Sequence, residues 1–162
     1  MSRSGYSDYC ENVQLWRGAV DRALLGSRGQ AFLKRLRAAL DAMPVKRLIT
    51  NEFVDHRGDV CALGSIDPRC PADPDDREGV AQFFGIAPAM AAEIVYVNDE
   101  GTLIGPEETP EQRWHRVRWW VGQQIVKDED LSLFNFNIET DNEGRTLLAV
   151  YHKGVGPEGC IR

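Results

Sequence analysis

Two apolar runs at helical period, closed off by glycines and a proline, constrain the fold of this chain more than any other feature. Val13, Trp16, Ala19, Val20, Ala23 and Leu24 recur at spacings that gather them on one stripe of a helix over residues 12–25. Gly26-Ser27-Arg28-Gly29 breaks that helix. A second runs to about Met43, with Phe32, Leu33, Leu36, Leu40 and Met43 on one face, and Pro44 stops it. So short a break makes the two helices antiparallel neighbours or crosses them at a turn.

The rest of the chain alternates strand-like and helix-like signals. Residues 46–53 and 60–66 read as the arms of a hairpin about Asp55-His56-Arg57-Gly58. Residues 67–74, with Pro68, Pro71 and Pro74 among acids, read as a mobile loop. A third helix is expected from Asp73 as N-cap and Pro74 at the first position. Asp75, Asp76 and Glu78 suit its positive dipole end, Val80, Phe83 and Phe84 face inward, and Gly85 ends it. Pro88, Met90, Ile94 and Val97 fit a buried helix, while 94–104 also fits a hairpin; Ala89, Ala91 and Ala92 favour the helix. The clearest local signal is Thr109 as N-cap, Pro110 at the first position and Gln112 closing a capping box. Trp114, Val117, Val121 and Ile125 then form one face. Phe134, Phe136 and Ile138 alternate with Asn135, Asn137 and Glu139, a turn falls over 140–145, and 147–151 returns as a second hairpin. The expectation is an α+β fold: about five helices packed on antiparallel β-hairpins in a single compact domain over 1–162, with a loose 1–11 and a Gly- and Pro-rich tail over 154–162.

Charge is segregated along the chain. Residues 1–50 carry nine Lys/Arg against four Asp/Glu, whereas the other 112 carry ten against 21. A basic end on an acidic body of net charge −6 disfavours non-specific nucleic-acid binding by the whole chain but leaves local binding open. No run approaches the roughly 20 apolar residues of a membrane span. The first residues lack the apolar core of a signal peptide, so a cytoplasmic location is expected. Cys10, Cys61, Cys70 and Cys160 are then expected as reduced thiols, and none has Cys-x-x-Cys spacing.

Two binding surfaces stand out. On the second helix, Lys34 and Arg37 lie opposite the apolar face, beside Gln30 and Asp41, while Arg28 and Arg35 share another flank. With Lys46 and Arg47 they suit a phosphate-bearing or acidic partner; the ordinary alternative is a solvated helix face. The turn Gly26-Ser27-Arg28-Gly29-Gln30-Ala31 resembles the hairpin of helix-hairpin-helix DNA binders, with Gly-x-x-Gly in place of Gly-x-Gly, and suits an anion at a helix start. The second surface is on the helix after Thr109. Trp119 falls opposite its apolar face, with His115, Arg116 and Arg118 nearby. A Trp there needs cover from the domain, a partner or another copy of the chain, and Trp and Arg are frequent interface anchors.

Enzymatic motifs are missing from the sequence. Glu52, Asp55, His56 and Asp59 span a predicted turn, where Asp serves turn chemistry. Glu139, Asp141 and Glu143 open like a calcium loop, but its twelfth position is Val150. There is no Gly-x-Ser-x-Gly elbow and no His-Glu-x-x-His. Neither a cofactor nor a metal is expected.

Two stretches resemble a known group. Trp16-Arg17-Gly18-Ala19-Val20, Gly29-Gln30-Ala31-Phe32-Leu33, Ala39-Leu40-Asp41-Ala42-Met43-Pro44 and Cys61-Ala62-Leu63-Gly64 form one. Phe84-Gly85-Ile86-Ala87, Glu93-Ile94-Val95-Tyr96, Asn98-Asp99-Glu100 and Glu108-Thr109-Pro110-Glu111-Gln112-Arg113-Trp114 form the other. Over residues 4–126 they resemble small proteins encoded by bacteriophages and prophages, a group with no assigned chemistry, so no catalytic residues carry over. The resemblance implies a bacterial cytoplasm and a phage-related role, and small phage proteins often bind host machinery, defence systems included. The leading expectation is a non-enzymatic phage accessory protein that binds a host or phage macromolecule, an inhibitor of a bacterial defence system being one such role. The alternative is nucleic-acid binding through residues 17–47, and an unrecognised enzyme ranks below both. Homo-oligomerisation stays open, and no membrane partner is expected.

Overall fold

The computed structural model describes residues 13–100, 108–126, 134–140 and 146–152, with backbone alone for 13, 14 and the last two segments. Five helices come first: α1 (Val13–Leu25), α2 (Ser27–Ala42), α3 (Arg77–Phe84), α4 (Pro88–Asp99) and α5 (Pro110–Gln124). Two strands follow, β1 (Phe134–Thr140) and β2 (Thr146–His152). The chain divides into two compact units, Met1–Ile125 and Val126–Arg162. The expected loose 1–11 and tail 154–162, with Cys10 and Cys160, lie outside the described residues.

The core of the first unit is helix on helix. α4 packs on α1, α3 and α5, and α2 packs on α1 and α5. Met90, Ala91, Ala92, Ile94, Val95 and Val97 bury α4 on nearly every side, as expected of a helix that is apolar all round. Val20 and Leu24 of α1 meet Phe32, Leu33, Leu36 and Leu40 of α2 in the same cluster, with Trp114, Val117 and Val121 of α5. α1 and α2 approach closely at Gly29, where a Cβ would overlap the backbone oxygen of Ala23. Glu93 of α4 is a buried carboxylate, 4% exposed, that accepts from the partly exposed Arg17 guanidinium of α1 through both oxygens at 3.0 Å. A buried charge needs such a partner, so this pair ties α1 to α4.

The expected α+β architecture is corrected here. Among the described residues of the first unit there is no strand, and its helices rest on one another and on loops rather than on antiparallel hairpins. The hairpin expected over 46–53 and 60–66 is a loop with a single bridge, Val54 to Val60. Its turn does form: the Asp55 carboxylate accepts from the N–H groups of Arg57 and Asp59 at 2.8 and 2.9 Å, and Gly58 has φ 83°. The arms share only two backbone hydrogen bonds, Ile49 N–H to Val60 O at 3.1 Å and Cys61 N–H to Phe53 O at 3.3 Å, and several of their other backbone groups have partners elsewhere. Leu48 N–H donates to Pro110 O, and Leu48 O accepts from Arg113. Ile49 O accepts from the Asn98 amide of α4, and Asn51 sits at φ 68°, outside the β region. Cys61, Ala62, Leu63 and Gly64 are buried consecutively in a turn, not alternately as in a half-buried strand.

Two helix starts differ from expectation in opposite ways. α3 begins at Arg77, capped by Asp76, whose carboxylate accepts from Gly79 N–H at 3.0 Å. The expected starter, Asp73, instead closes the preceding turn, accepting from Asp75 N–H at 2.9 Å. Residues 67–74 contain that Asp73 turn, an exposed Asp67–Arg69 pair at 2.9 Å and buried Cys70. α4 resolves the ambiguity over 88–97 in favour of a helix, and residues 101–104 lie outside the described residues. α5 carries the expected capping box, with Thr109 and Gln112 bonded reciprocally.

The second unit contains an antiparallel two-stranded hairpin, in register from Phe134 opposite His152 to Thr140 opposite Thr146. No single helix among the described residues is long and apolar enough to cross a membrane; α3 and α4 pass that test only together, across a 105° bend.

The close approach at Gly29 makes a stability prediction. Gly29→Ala is expected to destabilise the protein by about 1–3 kcal/mol through overpacking. Gly18→Ala, where a Cβ on α1 meets nothing within 4 Å, is expected to stabilise by about 0.5–1 kcal/mol. Urea unfolding followed by circular dichroism separates the two signs, and a Gly29→Ala protein as stable as the parent would contradict the packing described.

Candidate functional site

The two surfaces singled out in the sequence turn out to be neighbours. α2 and α5 lie antiparallel: Gln30 near the start of α2 donates to Gln124 O at the end of α5, at 2.9 Å. At the other end, Trp114 Nε1 donates to Leu40 O at 3.2 Å. Gln30, Lys34, Arg37 and Asp41 recur at spacings of three and four, so they form one row of α2, and that row runs along α5. Asp41 is the meeting point. Its carboxylate accepts from Arg118 Nε at 2.9 Å and lies 3.9 Å from Arg37 Nε. At Gly122, one turn beyond Arg118, a Cβ would stand 3.8 Å from Arg37 Nη1, so Arg37 reaches this position of α5.

Trp119 lies three residues before Gly122, the position that Arg37 reaches on α5, and so on the same side of that helix; it is 64% exposed. The described residues of the first unit do not cover it. His115, one turn earlier, is also exposed, and its ring meets the edge of Trp114 at 5.0 Å. Trp120, by contrast, packs partly against the core. Val45, at the chain's exit from α2, is 52% exposed.

The other expected binding residues separate into two groups. Arg28, Lys34 and Arg35 are exposed, Arg35 with its guanidinium 5.7 Å from the Phe32 ring centre. Lys46, Arg47 and Arg116 serve the chain's own structure. Lys46 donates to the carbonyls of Leu40 and Asp41 and lies 5.2 Å from the Trp114 ring centre. Arg47 pairs with Asp59 at 2.7 Å. Arg116 pairs with Glu108 at 2.6 Å and donates to the carbonyls of Val97 and Asn98. Sequence spacing placed these three cations near the surface but could not show which backbone groups would claim them.

A separate cleft of about 500 Å³ opens where the α1–α2 turn faces the α3–α4 turn. Arg22, Ser27, Arg28 and Gln82 supply its polar lining, and no acid among the described residues lines it. Neither α2 nor α4, whose first residues border it, has a side-chain cap or an acid in its first turn. The adjoining ends of α1 and α3 bring carbonyl ends to the same place, so the arginines set most of its positive character. Sequence reading found the Arg28 turn but not Arg22, which is a helix-end residue until α3 and α4 close the other wall.

The remaining titratable clusters are structural. Asp55 and Asp59 are held in the turn and by Arg47, and His56 is exposed. Cys61 is buried, and its Sγ accepts from Gly64 N–H at 3.4 Å. Among the described residues, no three His, Cys, Asp or Glu side chains come together as a metal-binding group. No protein-family model, curated protein or solved structure matches the chain.

The ion-pair row can be read by titration. The Arg118 hydrogen bond, and then the charges of Arg118, Arg37 and Lys46, hold the Asp41 carboxyl below its ordinary value of 3.8. A depressed carboxyl pKa contributes stability above the unfolded value, and that stability is lost as pH falls through the folded value. Arg118→Ala is therefore expected to move the Asp41 carboxyl up towards 3.8, followed by carbon-13 NMR titration. An unchanged midpoint would mean that the pair does not persist in solution.

Proposed function

We propose that this protein is a non-enzymatic binding module that engages a macromolecule of its host through the joint face of α2 and α5. Exposed Trp119, beside the Arg118–Asp41–Arg37 row, is the observation that carries the reading. An exposed indole costs solvation free energy that a partner surface recovers, and Trp and Arg dominate the energetics of many interfaces. The setting we propose is the bacterial cytoplasm and a phage-related role, supported by the sequence resemblance over residues 4–126. Inhibition of a host defence complex is an action open to such a module, since blocking a surface requires affinity and no chemistry.

The test is capture by tagged protein from bacterial lysates, run with and without nuclease. A protein retained after nuclease, and lost with both Trp119→Ala and the pair Lys34→Glu/Arg37→Glu, is the expected result. Circular dichroism of each variant keeps loss of binding apart from loss of fold. Full retention by both variants would rule out this face.

The cleft at the start of α2 favours a second reading, in which Arg22 and Arg28, with Arg35 on the same helix, contact nucleic-acid phosphates. Phosphate contacts release counterions, so affinity should fall steeply with salt. Arg28→Ala should then lower the slope of log affinity against log salt by about one. Mobility shifts with duplex DNA and with RNA at low salt check this, and the absence of a shift with either removes the reading.

A further inference from the structure

The α2–α5 face carries more than an exposed indole. Lys34, Arg37 and Arg118 bring three cations to it, and Asp41 is the carboxylate among them. The acid of α5, Glu111, lies two helical turns before Arg118. This face is thus positive on a chain whose net charge is −6. Its cations are graded in availability. Lys34 is exposed, whereas Arg37 and Arg118 are partly turned to Asp41, with side chains 41% and 35% exposed.

That arrangement suits a protein better than a phosphate backbone. Arg37 and Arg118 share Asp41, so Lys34 is the one fully exposed cation of the row. That is too few for a phosphate backbone, which spreads its contacts over several cations, and a chain of net charge −6 repels an extended polyanion. An acidic side chain can instead meet Lys34 and the outer edges of the two guanidiniums, while an apolar side chain covers Trp119. A Cβ at Gly122 would stand 3.8 Å from Arg37 Nη1, so the Arg37 guanidinium lies against α5 along the seam of the two helices. An amphipathic segment laid along such a seam places its side chains at helical spacing.

We propose that the partner contacting this face is a protein segment that is acidic and carries an aromatic or large aliphatic anchor for Trp119. The proposal rests on the reading of the α2–α5 face as the binding surface and gives that partner its chemistry. Charge complementarity of this kind contributes mainly to partner choice and to the rate of encounter.

The experiment selects a displayed random dodecapeptide library on the full chain at low ionic strength. The enriched peptides are then measured against the parent, Trp119→Ala and Lys34→Glu/Arg37→Glu, with Lys34→Gln in reserve should the double variant lose its helical spectrum. Acidic peptides with a large apolar residue are expected, losing about tenfold in affinity against each variant. Enriched peptides that need Trp119 but are neutral or basic would overturn the acidic partner and leave the docking face standing. Peptides that bind Trp119→Ala and the charge variants unchanged would overturn the face and the inference with it. Duplex DNA that displaces the peptides in a Trp119-dependent way would overturn the choice of a protein partner, and a library from which nothing enriches would overturn the proposal outright.

Discussion

The unpaired carbonyls at the ends of two helices organise the first unit. Neither α2 nor α4 has a basic residue in its last turn to meet them. α5 supplies partners to both. The Trp114 indole donates to Leu40 O at the end of α2, and the Arg116 guanidinium reaches the carbonyls of Val97 and Asn98 at the end of α4. Glu108, just before the α5 capping box, holds Arg116 at 2.6 Å and lies 3.3 Å from Arg113. Arg113 in turn donates to Leu48 O, so the loop leaving α2 is anchored to the same turn of α5. Without α5, the α4 end and the Leu48 loop would each lose a polar partner, a cost of about 1–3 kcal/mol apiece, while Leu40 O would keep Lys46 and the Met43 N–H.

This clamp also sets the outer surface. Once Trp114, Val117 and Val121 face the core and Arg116 faces α4, helical geometry turns Trp119 outward and Arg118 towards α2. The joint face is therefore a consequence of how α5 meets its two neighbours. The same packing withdraws Lys46 and Arg116 from any partner. Of the basic residues prominent in the sequence, Lys34 and Arg37 border the Trp119 surface, and Arg28 borders a cleft on the other flank of α2.

Helices were legible wherever their signals are local. The stripe of Val20 and Leu24, the capping box at Thr109 and the alanines of α4 each act within a few residues of one another. Strands were not legible over 46–66, because a strand exists only when another chain segment accepts its hydrogen bonds. There two backbone bonds join the arms, and the Asn98 side chain, Pro110 O and Arg113 take the others that a ladder would need. The helix start at Asp73-Pro74 failed for a related reason: Asp76 competes for the same cap three residues later and finds Gly79 N–H. For the candidate site, the row Lys34–Arg37–Asp41 and the off-face Trp119 were visible separately, and their adjacency was not.

The sequence alone determined which segments are helical and, except at the start of α3, roughly where they begin and end, which face is apolar, and which residues stand off that face. These depend on covalent geometry and interactions within a turn or two. Tertiary structure decided which cations remain available, because only packing shows which buried carbonyls and carboxylates need them. It also decided that Lys34, Arg37, Asp41, Arg118 and Trp119 share one surface, since α2 and α5 are separated by almost 70 residues of sequence and meet only through the core they bury together.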